Sequence, residues 1–221
     1  MEYSEWKPVY LEICEDLGID PYSDDQSVRA LMAVTLNSDL QDGDILEETV
    51  GKTVTVFGDS YGLEKDIGKN IHRGTQISAG SATERVLAAG IVPDIVVTDL
   101  DGNAEAQIEA SSMGSVTLIL AHGDNPELVT KYAGRFEGPV ILTTQSKPYG
   151  IVMNFGGFTD GDRAVCTARH FGAKEIMLEG FDFERPRVRE GEDPERSAKK
   201  LRWAEKIIKE MNPADVVLRF A

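Results

Sequence analysis

The sequence has few cysteines, no long apolar run and no excess of positive charge, and each absence excludes a class of protein. Its two cysteines, Cys14 and Cys166, lie far apart and form no C-x-x-C motif, so we expect neither a disulfide framework nor a cysteine-type zinc site. No stretch reaches the roughly 18 apolar residues of a membrane span, and the acidic, aromatic start does not resemble a signal peptide. We therefore expect a cytoplasmic protein without a membrane partner.

Positive charge is outnumbered in this chain of 221 residues. It carries 23 Lys and Arg against 38 Asp and Glu, a formal net charge of −15. Nonspecific nucleic-acid binding needs a broad positive surface, so we expect no nucleic-acid partner. A small phosphate ligand stays possible, because a few carboxylates can hold a divalent cation that binds phosphate.

Common catalytic signatures are missing as well. The chain has three histidines, no G-x-S-x-G elbow for a serine nucleophile, and no G-x-x-x-x-G-K-[ST] phosphate loop. The glycine-containing turn at 58–62 is not a G-x-G-x-x-G dinucleotide motif either. Any chemistry must therefore come from a less familiar set of residues.

Short β-branched runs alternate with helical stretches over most of the chain. Residues 2–17 and 26–37 have helical spacing, with Asp24 and Asp25 as a cap, and 39–48 is acidic and turn-like. An S-x-x-E capping box at Ser81 begins a later helix. This alternation predicts an α/β fold with a Rossmann-like, largely parallel sheet covered by helices on both faces. We expect a short helical segment over 1–50 before a domain over 51–221, with strands at 53–57, 75–79, 94–98, 116–121, 139–144, 175–178 and 215–219.

Ligands of such sheets bind beyond the carboxyl ends of the strands, and polar residues follow several strands here. Asp99 and Asp101 come directly after the third predicted strand and point the same way if the chain is extended. They either hold Mg²⁺, which favours a few carboxylates with phosphate oxygens, or form a turn in which Asp101 caps the next helix.

Two further segments allow both a functional and a structural interpretation. His122 and Asp124 follow the most apolar strand, where Asp124 could instead cap the helix that Pro126 begins. The glycine-rich stretch 154–163 offers close backbone approach and free N–H groups to an anion. Its acids, Asp160 and Asp162, would also stabilise a helix start without any function.

Cations are concentrated near the C-terminus. The segment 184–210 is either a solvated helix with Glu–Lys pairs or a mobile basic arm that closes on phosphates. It contains nine of the 23 cations: Arg185, Arg187, Arg189, Arg196, Lys199, Lys200, Arg202, Lys206 and Lys209.

Four of these motifs occur together in an order and spacing that resemble the archaeal 6-hydroxymethyl-7,8-dihydropterin pyrophosphokinase family, which is distantly similar to the catalytic domain of thiamine pyrophosphokinases. They are G-I-V-P-D-I-V-V-T-D-L-D-G at 90–102, A-H-G-D-N at 121–125, T-T-Q at 143–145 and N-F-G-G-F-T-D-G-D-R-A at 154–164. The strand end at 179–183 and the K-K-L of 199–201 match too. The resemblance covers about residues 50–220.

The resemblance implies Mg²⁺-dependent transfer of diphosphate from ATP to the pterin hydroxymethyl group, releasing AMP, in folate- or methanopterin-type cofactor synthesis. Asp99, Asp101 and Asp124 would hold the metal and, with Lys199 and Lys200, form the catalytic set. A homodimer is possible by the same analogy. The nucleotide, phosphate and acceptor would be bound by Gly58, Asp59, Ser60, Thr98, His122, Thr144, Gln145, Asn154, Gly156, Gly157, Asp160, Asp162 and Arg163.

The chain departs from the family pattern at two places. Gly80 stands where an acid is expected after the second strand, and 58–63 reads G-D-S-Y-G-L where G-x-G-P-S-L is expected. Two alternatives therefore stay open: a thiamine-type enzyme with another alcohol acceptor, and a nucleotide-binding module without transfer activity.

Overall fold

Eight parallel strands form one sheet in this computed structural model, which describes residues 1–188, 191 and 193–221. The strand order is β1-β6-β5-β4-β3-β2-β7-β8, and every neighbouring pair is parallel. This confirms the predicted α/β fold. The strands are β1 (Asp39–Leu40), β2 (Thr53–Phe57), β3 (Thr75–Ala79), β4 (Ile95–Thr98), β5 (Val116–Ala121), β6 (Pro139–Thr144), β7 (Glu175–Glu179) and β8 (Val217–Phe220).

Helices cover both faces of the sheet. Helix α8 packs on one face with Val54, Val56 and Leu118, whereas α2 and α7 pack on the other with Ile119 and Leu142. No helix in the described ranges is long and apolar enough to cross a membrane. The helices are α1 (Tyr3–Leu17), α2 (Asp24–Val34), α3 (Asp44–Thr49), α4 (Leu63–Ile67), α5 (Ala82–Ala88), α6 (Ala104–Ser112), α7 (Pro126–Tyr132), α8 (Asp160–His170) and α9 (Pro194–Glu205).

The acidic stretch 39–48 is where the structure differs most from the sequence prediction. It was expected to be a turn, but it contains β1 and most of α3. Asp39 and Leu40 pair with Pro139 and Val140 of β6. A two-residue strand is too short to show an alternating pattern, and its pairing partner lies about a hundred residues away, so the local sequence carries no sign of it.

The N-terminal helices pack against the rest of the fold. Trp6 of α1 is completely buried and its indole N–H donates to the carbonyl of Gln145 at 2.9 Å. Tyr10 and Ile13 of α1 join Phe158 and Ile207 in an apolar cluster. Residues 1–50 therefore support the end of β6 and the segment before α8, while the proposed division at residue 50 stays a prediction.

One acid is buried on the sheet without a hydrogen-bond partner. The Glu179 side chain, at the end of β7, is completely buried, and neither carboxylate oxygen has a partner among the described residues. Nδ1 of His72 lies 3.9 Å from Oε2, beyond hydrogen-bond distance. Burial, helped by the charge of Asp66, raises the pKa of Glu179 to about 7.

Glu179→Gln is expected to raise the free energy of unfolding at pH 8 by up to about 3 kcal/mol. The folded state binds the carboxyl proton more tightly than the unfolded state, so this group's stabilising effect is full below about pH 4.5 and is lost as the pH rises through about 7. Denaturant unfolding should therefore show a small gain at pH 5 and a larger one at pH 8. Glu175→Gln on the same strand is the control, because Arg219 lowers the pKa of Glu175. Equal gains at both pH values would contradict this explanation.

Candidate active site

A cavity of about 470 Å³ opens at the carboxyl ends of the strands, where the parallel topology brings the predicted residues together. Its walls come from the segments after β2, β4, β5 and β7, the start of α8 and one face of α9. The predicted residues that line it are Gly58, Asp59, Ser60, Asp99, Asp101, His122, Asp124, Gln145, Asp160, Asp162 and Lys200.

Three carboxylates of the cavity lining lie close together. Asp99 and Asp101 follow β4, and Asp160 is the first residue of α8; one oxygen of each lies within 4.8 Å of the others. Between the first two, Leu100 adopts a left-handed conformation (φ 70°), which is uncommon for a residue other than glycine. Its side chain is buried in the core, so the turn that presents the acids is anchored.

The electrostatics of these three acids favour a cation. Burial, together with the charges of Asp99 and Asp101, raises the pKa of Asp160 well above its usual value. Burial acts on Asp99 in the same direction, but His122, whose Nε2 lies 3.6 Å from Oδ2, outweighs it and holds the pKa of Asp99 low. Oδ1 of Asp160 is buried and makes no hydrogen bond within the described residues, although Nη1 of Arg163 forms an ion pair with it at 3.6 Å. Such an oxygen, beside two other carboxylates, fits a divalent cation.

Asp124 lies apart from these acids. Its side chain is 72% exposed and its carboxylate is 3.6 Å from Arg196. The structural alternative for Asp124 is wrong, since Asn125 occupies the position before α7, although its side chain makes no capping hydrogen bond. The Asn125 amide donates to the carbonyls of Asp99 and Leu120, which ties the loop after β5 to the turn after β4.

Thr98 is a support for the acidic turn and does not line the cavity. Its hydroxyl donates to Gln107 and accepts from the Leu100 N–H. Thr144 has a similar local role, with its hydroxyl bonded to Ser146, whereas the neighbouring Gln145 reaches the cavity.

The glycine-rich segment builds the start of α8. Asn154 donates to the carbonyls of Gln145 and Ser146, and Gly157 (φ 88°) passes so close to α8 that a Cβ would lie 2.6 Å from the Cα of Arg163. Gly156 lies against Met1. Asn154, both glycines and Arg163 are outside the cavity lining, and Arg163 contacts Asp160, with its Nη1 3.6 Å from Oδ1 of that carboxylate.

Asp162 lines the cavity, but its carboxylate already accepts hydrogen bonds from backbone N–H groups just before α8. It completes a capping box with Thr159 and also accepts from the N–H of Phe158. Burial nevertheless raises the pKa of Asp162 to about 6. The helix-start interpretation of the sequence therefore describes this acid well.

The two adjacent lysines face different ways. Lys200 lines the cavity, whereas the Lys199 amine bonds the carbonyl and carboxylate of Asp16 on α1 at 3.1 and 3.3 Å. Consecutive helix residues are about 100° apart, so a pair of lysines cannot share one face. Arg196 also lines the cavity; Arg189 lies outside the described residues.

The turn after β2 is held by arginines. The Asp59 carboxylate is paired with Arg85 of α5, at 2.8 Å, and with Arg187. Gly58 is packed so tightly that a Cβ would come 2.8 Å from the Gly180 carbonyl. Close approach of the chain thus explains this glycine without any bound ligand.

Several lining residues were missed from the sequence. Asp24 is the most informative: predicted as a helix cap, it is buried, accepts from the Tyr10 hydroxyl and the Gly123 N–H, and so braces the loop after β5. Its only sequence signal was its place in an acidic pair. The others include Ser23, Ser81, Phe158, Phe181 and Phe183, whereas Arg185 and Arg187 of the predicted basic segment also line the cavity.

Comparison with known proteins gives a consistent result. The sequence model described as "6-hydroxymethylpterin diphosphokinase MptE-like" matches residues 33–187. Three curated relatives are named 6-hydroxymethyl-7,8-dihydropterin pyrophosphokinase. The protein from Pyrococcus furiosus is 41% identical over 83% of this chain and 79% of its own, and that from Methanothermobacter thermautotrophicus is 39% identical with the same coverage. The protein from Methanocaldococcus jannaschii is 35% identical over 94% of this chain and 95% of its own.

Among solved structures, the chain is similar to the Maf glycosyltransferase of Magnetospirillum magneticum, with a TM-score of 0.57 and 17% identity. The match covers 90% of this chain but 38% of that protein. At this identity the likeness concerns the fold alone.

Asp162→Ala should lower the free energy of unfolding by about 2 kcal/mol, because it removes a cap and leaves buried N–H groups without an acceptor. Asp160→Asn, two residues away, should cause a smaller loss in metal-free protein, because removing one of three crowded carboxylates offsets the lost ion pair with Arg163, which lies 3.6 Å from Oδ1. Thermal unfolding in the presence of a chelator tests the pair. Equal destabilisation by both variants would show that Asp160 is a structural residue.

Proposed function

The chain belongs to the 6-hydroxymethylpterin diphosphokinase MptE-like family, and we propose that it transfers the β,γ-diphosphate of ATP to the hydroxymethyl group of 6-hydroxymethyl-7,8-dihydropterin. The observation that carries the proposal is 35–41% identity with three relatives of that name over most of the chain. The pterin hydroxyl oxygen would form a bond to the β-phosphorus while the bond between that phosphorus and the phosphate oxygen of AMP breaks, and the hydroxyl proton would be released to solvent.

We further propose that the reaction uses Mg²⁺, with Asp99, Asp101 and Asp160 as its protein ligands. When bound there, the ion would neutralise charge on the phosphates of ATP. The proposal is supported by the convergence of three carboxylates and by Oδ1 of Asp160, which is buried, makes no hydrogen bond within the described residues and has Nη1 of Arg163 at 3.6 Å. Asp124 is left out of this ligand set because it is exposed and lies against Arg196.

The remaining residues of the cavity would bind and orient. Transfer of this kind depends on in-line placement and charge neutralisation more than on a protein nucleophile. His122 would hold the Asp99 carboxylate in place, since its ring lies 3.6 Å from that carboxylate. Lys200 and Arg196, on the cavity side of α9, would approach the phosphates.

The central test is an assay for AMP and pterin diphosphate with ATP, Mg²⁺ and the pterin. Asp99→Asn and Asp101→Asn should each lower turnover by at least about a hundredfold with the fold retained, because removal of electrostatic stabilisation has effects of this size. Asp124→Asn should lower it much less. A chelator should abolish product formation and excess Mg²⁺ should restore it. AMP release that does not require the pterin would reject the proposed acceptor.

The adjacent lysines provide a matched pair. Lys200→Ala should lower kcat/KM by about tenfold or more, as loss of one charge contact to phosphate does, whereas Lys199→Ala should mainly loosen the contact of α9 with Asp16. Steady-state kinetics with varied ATP separates the two. Equal losses of kcat/KM in both variants would contradict the assignment of Lys200 to the phosphates.

A further inference from the structure

We propose that Gly80 is a positioning residue for the metal site: its missing side chain leaves the space that the Asp160 carboxylate occupies, and residues 80 and 160 are alternative sources of one carboxylate. The inference rests on the proposed metal site, and it concerns which residue can complete that site.

The space above Gly80 is filled by Asp160. A Cβ built on Gly80 would lie 2.2 Å from Oδ2 of Asp160 and 3.3 Å from its Cγ. Real Cβ atoms do not approach neighbouring atoms to 2.2 Å, so any side chain at residue 80 must displace this carboxylate.

Gly80 cannot easily move away to relieve such a clash. It directly follows β3, its N–H donates to the Val97 carbonyl of β4 at 2.7 Å, and its carbonyl accepts from the Thr83 N–H at the start of α5. The backbone at this point is therefore held between two strands and a helix.

Asp160 is also limited in how it can respond. Its backbone lies in the first turn of α8, which is fixed by the capping box of Thr159 and Asp162. Only rotation of its short side chain remains, and that rotation would carry Oδ2 away from its present place. A side chain at residue 80 should therefore remove Asp160 from the acids of the β4 turn.

The backbone conformation of Gly80 restricts which residues could replace it. Its φ of +44° lies in the left-handed region, where aspartate and asparagine are tolerated better than most other residues. An aspartate at residue 80 would begin its side chain where the Asp160 carboxylate now ends. It would both clash with Asp160 and carry a carboxylate towards the same place.

The experiment measures Mn²⁺ binding to the full chain by electron paramagnetic resonance, without ATP or pterin. Asp160→Ala should weaken binding by about tenfold or more, in the range seen when a metal site is impaired. Gly80→Asp should also weaken it, because two carboxylates then compete for one position. The double variant Gly80→Asp with Asp160→Ala should bind Mn²⁺ more tightly than either single variant.

Gly90→Asp is the matched control, since Gly90 also has a positive φ (+81°) but no atom within 4 Å of its built Cβ. It should bind Mn²⁺ like the unaltered chain, and circular dichroism should show that all variants are folded. The inference is overturned if Asp160→Ala or Gly80→Asp binds Mn²⁺ like the unaltered chain, or if the folded double variant binds no better than the single variants. Normal Mn²⁺ behaviour without AMP formation would reject only the proposed reaction.

Discussion

Mutual repulsion among the carboxylates of Asp99, Asp101 and Asp160 is the constraint on which the rest of this structure depends. Three acids with oxygens within 4.8 Å are brought together only if the backbone on each side is held firmly. The β4 turn is held by Thr98, by the buried Leu100 and by the amide of Asn125. The fold thus supplies the free energy that keeps like charges close, and a cation would relieve it.

The position of Asp160, the third of these acids, depends on contacts that begin in the N-terminal helix α1. Trp6 of α1 bonds the carbonyl of Gln145, whose side chain bonds the carbonyl of Phe158, and Phe158 in turn donates to Asp162. This connected set of hydrogen bonds sets the start of α8 and therefore the place of Asp160. Helix α1 contributes to the site through this set.

Charge distribution explains how an acidic protein can accept an anionic substrate. The net charge is −15, yet arginines and Lys200 line the same cavity as the acids. Neither the sum of the charges nor their order along the chain describes this cavity. Their positions at the ends of parallel strands and on one face of α9 do.

The sequence by itself determined the parallel α/β architecture and the pair Asp99 and Asp101, because strand alternation and acid spacing are local patterns. It also indicated a helix start at Asp160 and Asp162, but not that Asp160 turns to the acids while Asp162 caps the helix. Only the tertiary structure shows these different roles of Asp160 and Asp162 and the different directions of Lys199 and Lys200. It also shows that Asp24 lines the cavity and that β1 pairs with β6. Each of these features depends on which residues from distant parts of the chain come within a few ångströms of one another. Local sequence patterns contain no information about such contacts. The same reason applies to Gly80, where a Cβ would lie 2.2 Å from Oδ2 of a residue eighty positions away.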